Sequence, residues 1–243
     1  MKEKTGTIIN VSKELQKMIG YRIICVVIGY VFGLCQTGYL YGKMNNVDIR
    51  DFGSGNAGTT NAMRVLGKKA GVITYIGDMA IAVIAGLAVR GIFGIWLDEP
   101  AANVFLLVLY TGMGVVLGHN YPFYMGFKGG KGIAASSGVI VSLFDWKLAV
   151  LALVTFAVIT IVSKYVSLGS ICMMAGFCVE FIVFCQLGWL PPLSGSSHRL
   201  EAYILVVLFS ALAIFKHRSN IGRLISGTER KIGQKKEVVN TAE

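Results

Sequence analysis

Three stretches of the chain concentrate residue types that bind anions and move protons. In GSGNAGTTNAMRVLGKKAG, residues 53–71, glycines that let backbone N–H groups approach a ligand alternate with the neutral hydrogen-bonding side chains of Ser54, Asn56, Thr59, Thr60 and Asn61. Arg64 adds a planar fork that suits a phosphate. In GHNYPFYMGFKGGKGIA, residues 118–134, Gly129, Gly130 and Gly132 are interleaved with Lys128 and Lys131, a pattern that fits an anion nest ahead of a helix N-terminus. In IFKHRSNIGRLISGTERKIG, residues 214–233, Lys216, His217, Arg218 and Asn220 follow directly on an apolar run. If the helix continues there, His217, Asn220, Arg223 and Leu224 share a face, and Thr228 and Glu229 are placed to cap or brace it. The chemistry common to the three is recognition of a phosphorylated substrate, with a titratable imidazole and an amide beside the charge.

Two well-known phosphate motifs are excluded. Gly53, Gly55 and Gly58 match GxGxxG by letter, but no strand precedes them and no βαβ unit fits between the flanking apolar segments. Only three residues separate Gly126 from the Gly130-Lys131 pair, and Gly132 stands where a P-loop needs Ser or Thr for magnesium, so nucleotide hydrolysis loses its support. Taken singly, each stretch also fits a plain surface role: a solvated turn with a capped helix, a basic hinge, a tail that contacts acidic lipid. Together they favour one converged anion site, because independent loops have little reason to share the same enrichment in Gly, Asn, Ser and cations on one face.

The elements that must position these residues are set by an oily composition. Of 243 residues 54% are hydrophobic and 15% charged, against about 25% charged in ordinary soluble chains, which excludes a soluble domain and excludes disorder. The 23 Lys and Arg residues exceed the 13 Asp and Glu residues, giving net +10, so anionic surroundings are expected. The five cysteines, without a CxxC pair and all in apolar stretches, read as packing residues. Apolar runs at 23–42, 70–97, 101–118, 133–144, 148–163, 165–187 and 202–215 predict an all-α integral membrane protein of seven transmembrane helices. The run 133–144 is short enough to be either a short span or a re-entrant segment.

Seven crossings put fifteen of the basic residues, including all three clusters, on one face and seven on the other, with Arg90 inside a span. That asymmetry places the N-terminus outside and the C-terminus in the cytoplasm, although Lys2, Lys4, Lys13, Lys17 and Arg22 count the other way. The expected organisation is a tail over 1–22, a membrane domain over 23–216 carrying the loops 53–71 and 118–134, and a basic cytoplasmic tail over 217–243 carrying the third segment. Inside the spans, Arg90 reads as snorkelling to the far interface, Asp78 as orienting a site cation, and Glu180 has no assigned role.

The three segments, in this order and spacing from about residue 23 to residue 233, resemble the signature segments of the bacterial acyl-phosphate:glycerol-3-phosphate acyltransferases, the PlsY family. The resemblance implies a seven-helix fold in the bacterial cytoplasmic membrane with its site on the cytoplasmic face. It also implies the first step of phospholipid synthesis: transfer of an acyl chain from acyl phosphate to the 1-hydroxyl of glycerol 3-phosphate, giving lysophosphatidic acid and phosphate. Carried over by motif, Ser54, Asn56, Arg64, His217 and Asn220 are the implied catalytic residues. Asn61, Lys128, Gly129, Gly130, Lys131, Gly132, Arg218 and Glu229 are the implied substrate-binding residues. Arg64 and Lys131 are assigned to phosphates, and His217 with Asn220 to orienting the attacking hydroxyl. His217 as general base and the donor's own phosphate oxygen remain alternative proton acceptors.

No cofactor or metal is implied. The implied partners are the two small-molecule substrates, membrane lipids and a soluble enzyme that makes acyl phosphate, with no nucleic acid. Thioester-dependent acyltransferases use a His and an Asp separated by four residues; here the residues five positions after His119, His198 and His217 are Tyr124, Tyr203 and Gly222, which favours acyl phosphate over acyl-CoA. The chain departs from the family in having Thr60 before Asn61, and Ile81 where a Lys commonly follows Asp78 by three residues. A transporter of organic phosphates is disfavoured, because no internal repeat is found and the cations lie on one face.

Overall fold

The computed structural model describes residues 2–234, with side chains from residue 12 onward; the end of the basic tail, including Lys235 and Lys236, lies outside the described residues. Ten α-helices and no strand occur among them: α1 Lys2–Gly33, α2 Thr37–Met44, α3 Thr59–Leu66, α4 Lys68–Val89, α5 Ala101–Asn120, α6 Ile133–Ser142, α7 Trp146–Ser163, α8 Val166–Gln186, α9 Arg199–Lys216 and α10 Arg218–Ile225, with a π-helical segment, Arg90–Trp96, continuing α4. Five segments are long and apolar enough to cross a membrane, and a sixth is if α9 and α10, bent by 58°, count as one. The expected seventh, α6, has ten residues, so at 1.5 Å per residue it covers about half of a hydrocarbon core. The segment read as an N-terminal tail is helical from Lys2 and runs without a break into the first apolar run.

That run, expected as one helix over 23–42, breaks instead after Gly33. Gln36, fully buried, explains the break: its Nε2 donates to the carbonyl of Gly33 (3.1 Å), which a continuous helix would have satisfied itself, and to that of His119 at the end of α5 (2.9 Å). Above it α1 and α5 touch backbone to backbone. Cβ atoms built on Gly29 and Gly33 would lie 2.0 and 2.1 Å from the carbonyl oxygens of Thr111 and Val115, and those on Gly114 and Gly118 2.2 Å from the carbonyls of Val26 and Tyr30. Both helices therefore carry a Gly-xxx-Gly face, the spacing that brings membrane helices into closest approach.

The short α6 packs against α4 in the same manner, since a Cβ on Gly138 would meet the Met79 carbonyl at 2.2 Å. Its C-terminal carbonyls are covered by Arg90, which donates to Ser142 O from Nε (3.2 Å) and Nη2 (3.1 Å) and to Leu143 O (3.1 Å), with the guanidinium 4.8 Å from the Phe144 ring centre. Arg90 is thus a helix cap, and not the snorkelling residue expected from sequence. α7 then restarts behind Asp145, whose carboxylate accepts from Lys147 N (3.1 Å) and Leu148 N (3.0 Å). One contiguous core of Phe105, Leu106, Leu107, Val108, Met174, Phe177, Phe181 and their neighbours joins α5, α8 and α9.

Candidate functional site

At one end of the bundle the three motif segments meet. The first is a loop shaped from within by Asn61, whose Oδ1 accepts Ser54 N (2.8 Å) and whose Nδ2 donates to Ile49 O (2.7 Å) and Phe52 O (3.1 Å). Gly53 and Gly55 adopt φ +66° and +68°, the left-handed turns that let the loop close around this amide. Asn56 ties the first segment to the second, accepting Gly58 N (3.0 Å) and donating to Gly129 O (3.3 Å). Both Asn amides, expected to face substrate, are therefore largely engaged in holding Ser54 and the second loop in place.

The second segment departs further from its expectation. The N–H groups of Gly129 and Gly130 do not form an anion nest, because they donate to Asn120 O (3.2 Å) and His119 O (3.0 Å). These glycines are small so that the loop can lie flat on the end of α5: a Cβ on Gly129 would meet His119 O at 2.1 Å. Lys128 follows Phe127, itself at φ +61°, and is exposed away from the cavity, whereas Lys131 turns inward and Gly132, at φ +80°, opens α6 toward it.

The third segment supplies a buried hub. Glu229 Oε1 accepts from Asn220 Nδ2 (2.7 Å) and Ser167 Oγ (2.9 Å), and Oε2 accepts from Arg223 Nε (2.6 Å). Burial works to raise this carboxyl's pKa, but the bonds from Asn220, Arg223 and Ser167 outweigh it and hold Glu229 below the ordinary carboxylate value, so it stays ionised. Asn220 passes the charge on, its Oδ1 accepting from Lys131 Nζ. Asn220 is thus occupied at both ends, and links the hub to Lys131.

Burial first, then Arg223 and Arg64 nearby, bring Lys131 down to about 8 against the opposing pull of Glu229. His217 lies in the bend beyond α9; its Nδ1 is 2.8 Å from the Ala213 carbonyl, which can only accept, so the ring proton sits on Nδ1 and Nε2 keeps its lone pair. Burial, aided by Lys131 and Lys216, pushes this imidazole down to about 4, hence neutral at physiological pH.

These groups enclose two connected chambers. The inner one, about 120 Å³, is bordered by Ser54, Asn56, Asn61, Arg64, Lys131, Gly132, His217, Asn220 and Glu229 among the expected residues. The outer one, about 420 Å³, presents Arg64, Lys131, Lys216, Arg218, Arg223 and Arg230 against the single carboxylate of Glu229. An apolar cavity of about 190 Å³ between α4, α6, α7 and α8 shares Tyr75 and Phe156 with the inner chamber. Of the thirteen expected site residues, Lys128, Gly129 and Gly130 border neither chamber. Sequence reasoning gave Arg223 no role, although the motif contains it, and it missed Ser167, which no motif announces.

The family model described as glycerol-3-phosphate acyltransferase matches residues 23–227. Among curated relatives, a glycerol-3-phosphate acyltransferase of Thermoanaerobacter sp. (strain X514) is 38% identical over 219 residues, 90% of this chain and 99% of the relative. One of Clostridioides difficile (strain 630) is 38% identical over 222 residues, 88% and 97% of the two chains. Two crystal structures of PlsY (YgiH), an integral membrane glycerol 3-phosphate acyltransferase, are similar at 30% identity. The glycerol 3-phosphate form superposes with TM-score 0.72 over 87% of this chain and 96% of the other. The lysophosphatidic acid form does so with 0.70 over 87% and 95%.

Proposed function

Because the chain belongs to the glycerol-3-phosphate acyltransferase family and is an acyltransferase, we propose that it moves an acyl chain from acyl phosphate to the 1-hydroxyl of glycerol 3-phosphate, giving lysophosphatidic acid and phosphate. The observation that carries this reading is the grouping of cavities: the outer chamber, with six cations and one carboxylate, suits two phosphorylated molecules, and the apolar cavity that shares Tyr75 and Phe156 with the inner chamber suits an acyl tail. The neighbouring structure solved with glycerol 3-phosphate and the one solved with lysophosphatidic acid agree with such an acceptor and product.

In this reaction the 1-hydroxyl oxygen bonds to the acyl carbon as the acyl–oxygen bond to phosphate breaks. Acyl phosphate is already activated, so no covalent enzyme intermediate is needed and the site must supply position and charge neutralisation. Arg64 and Lys131 hold the phosphates. His217 Nε2, unprotonated, accepts a hydrogen bond from the attacking hydroxyl and orients it. With a pKa of about 4 the imidazole is a weak base, and the departing phosphate is the better final proton acceptor. Glu229 and Asn220 set the position of Lys131.

Seven crossings of the bacterial cytoplasmic membrane, with the ten-residue α6 counted as a short one, N-terminus outside, and with the site facing the cytoplasm and its soluble acyl-phosphate-making enzyme, complete the proposal; the charge asymmetry supports that orientation.

The test is synthesis of lysophosphatidic acid by membranes carrying the chain. Acyl phosphate is expected to serve as donor, and Arg64→Ala, Lys131→Ala and His217→Ala to lose at least about a hundredfold of activity, as for removal of groups that stabilise developing charge. Full synthesis in all three variants overturns the site, and product from acyl-CoA but not acyl phosphate overturns the donor.

A further inference from the structure

Beneath the second loop, bordering the inner chamber, lies a pair of ionisable groups to which the transfer step above gives no role. Asp78, midway along α4, and His119, at the end of α5, are 2% and 4% exposed, and Asp78 Oδ2 lies 4.0 Å from His119 Nδ1. The other carboxylate oxygen accepts the N–H of Thr37, the first residue of α2, at 3.0 Å. On the far edge of the imidazole, Nε2 would lie 2.0 Å from a Cβ on Gly130, so the ring occupies the space a side chain at 130 would fill. The His119 carbonyl in turn accepts from Gly130 N (3.0 Å) and Gln36 Nε2 (2.9 Å). One residue thus carries the loop through both its ring and its carbonyl, and one carboxylate braces that residue.

We propose that Asp78 and His119 form a buried positioning pair that fixes the ring under Gly130, and thereby sets where Lys131 presents its charge to a substrate phosphate. Two ionisable side chains buried to this degree are costly compared with an apolar pair of equal volume, so their presence there points to a requirement for one ring orientation. At 4.0 Å Asp78 Oδ2 is beyond hydrogen-bond reach of Nδ1, so the carboxylate favours through its charge, and not through a bond, the ring orientation that turns Nδ1 toward it and Nε2 toward the loop. The inference rests on the reading of Lys131 as a phosphate ligand.

The experiment uses the purified full chain as wild type, Asp78→Asn, His119→Gln, Gly130→Ala and the double variant Asp78→Asn/Gly130→Ala. Two readouts are taken: the midpoint of thermal stabilisation by inorganic phosphate, and KM and kcat with both substrates. Each single variant is expected to raise the phosphate midpoint, and KM for at least one phosphorylated substrate, by about tenfold while kcat changes less than about threefold. The double variant is expected to be no weaker than Gly130→Ala alone, because both changes act through one loop. An Asp78→Asn protein that melts normally with unchanged midpoint and KM overturns the pair, as do losses that multiply in the double variant. If Asp78→Asn does not fold, the midpoints and KM values of His119→Gln and Gly130→Ala decide the pair in its place, and unchanged values in both overturn it. A wild-type chain that binds phosphate but makes no lysophosphatidic acid overturns the function reading, and the phosphate midpoints still decide the pair.

Discussion

Lys131 is the residue whose charge state the site leaves most exposed to pH. With its pKa brought down to about 8, it is cationic below that value and neutral above it, so phosphate binding that depends on the charge falls as pH rises through about 8. A profile of kcat/KM is expected to show this alkaline limb in the wild type and to lose it in Lys131→Arg, whose guanidinium stays protonated, even though the altered shape lowers overall activity. His217, charged only below about 4, is expected to leave no acid limb near the ordinary imidazole value of about 6.5. A clear break there checks, and would defeat, the assignment of a neutral ring. At this scale the sequence showed residue types but not their aim. Lys128 and Lys131 look alike in FKGGKG; only the left-handed Phe127 and the spent N–H groups of Gly129 and Gly130 determine which of them faces inward. Asn56, Asn61 and Asn220 look like ligands in sequence because nothing in it reveals which backbone groups will claim their amides.

Helix existence and order were legible from apolar runs, whereas breaks and contacts were not. No Pro or Gly occurs at Leu34, Cys35 or Gln36 to signal the end of α1; the break arises from Gln36 reaching two carbonyls, one of them 83 positions away in sequence. The shortness of α6 was visible in its twelve-residue run, but the device that ends it, Arg90 on the Ser142 and Leu143 carbonyls, depends on α4 lying alongside. The Gly-xxx-Gly spacing at 29/33 and 114/118 is present in the sequence, and its pairing becomes evident only when α1 and α5 are seen to touch. Gly114→Val is expected to force these backbones apart and cost about 1–3 kcal/mol or more, read as a lower melting temperature in detergent. Gly20→Ala, on the same helix as Gly29 but with nothing within 4 Å of its Cβ position, is the control expected to change little.

Across the whole molecule the end opposite the chambers is closed by a polar clamp. Arg22 donates to both oxygens of Glu201 (2.5 and 2.7 Å), Tyr110 donates to the same carboxylate (2.6 Å), and His198, Asn103, Glu99 and Lys17 continue the chain of contacts from α9 through α5 to α1. Glu201→Ala leaves a half-buried guanidinium and a phenol without their acceptor, and is expected to cost about 1–3 kcal/mol in melting experiments while the folded protein keeps its specific activity within about twofold. The clamp pairs two of the five N-terminal basic residues, Lys17 and Arg22, with Glu99 and Glu201, so charge at this end is locally matched, while the positive-inside count, which depends on Lys and Arg and not on net charge, is unaffected. At the chamber end the imbalance is the reverse, six cations to one carboxylate. Such a chamber behaves as an ion exchanger: a substrate dianion enters by displacing counter-anions drawn from the surrounding electrolyte. Apparent affinity is therefore expected to weaken as ionic strength rises, and added inorganic phosphate to compete for the same seat.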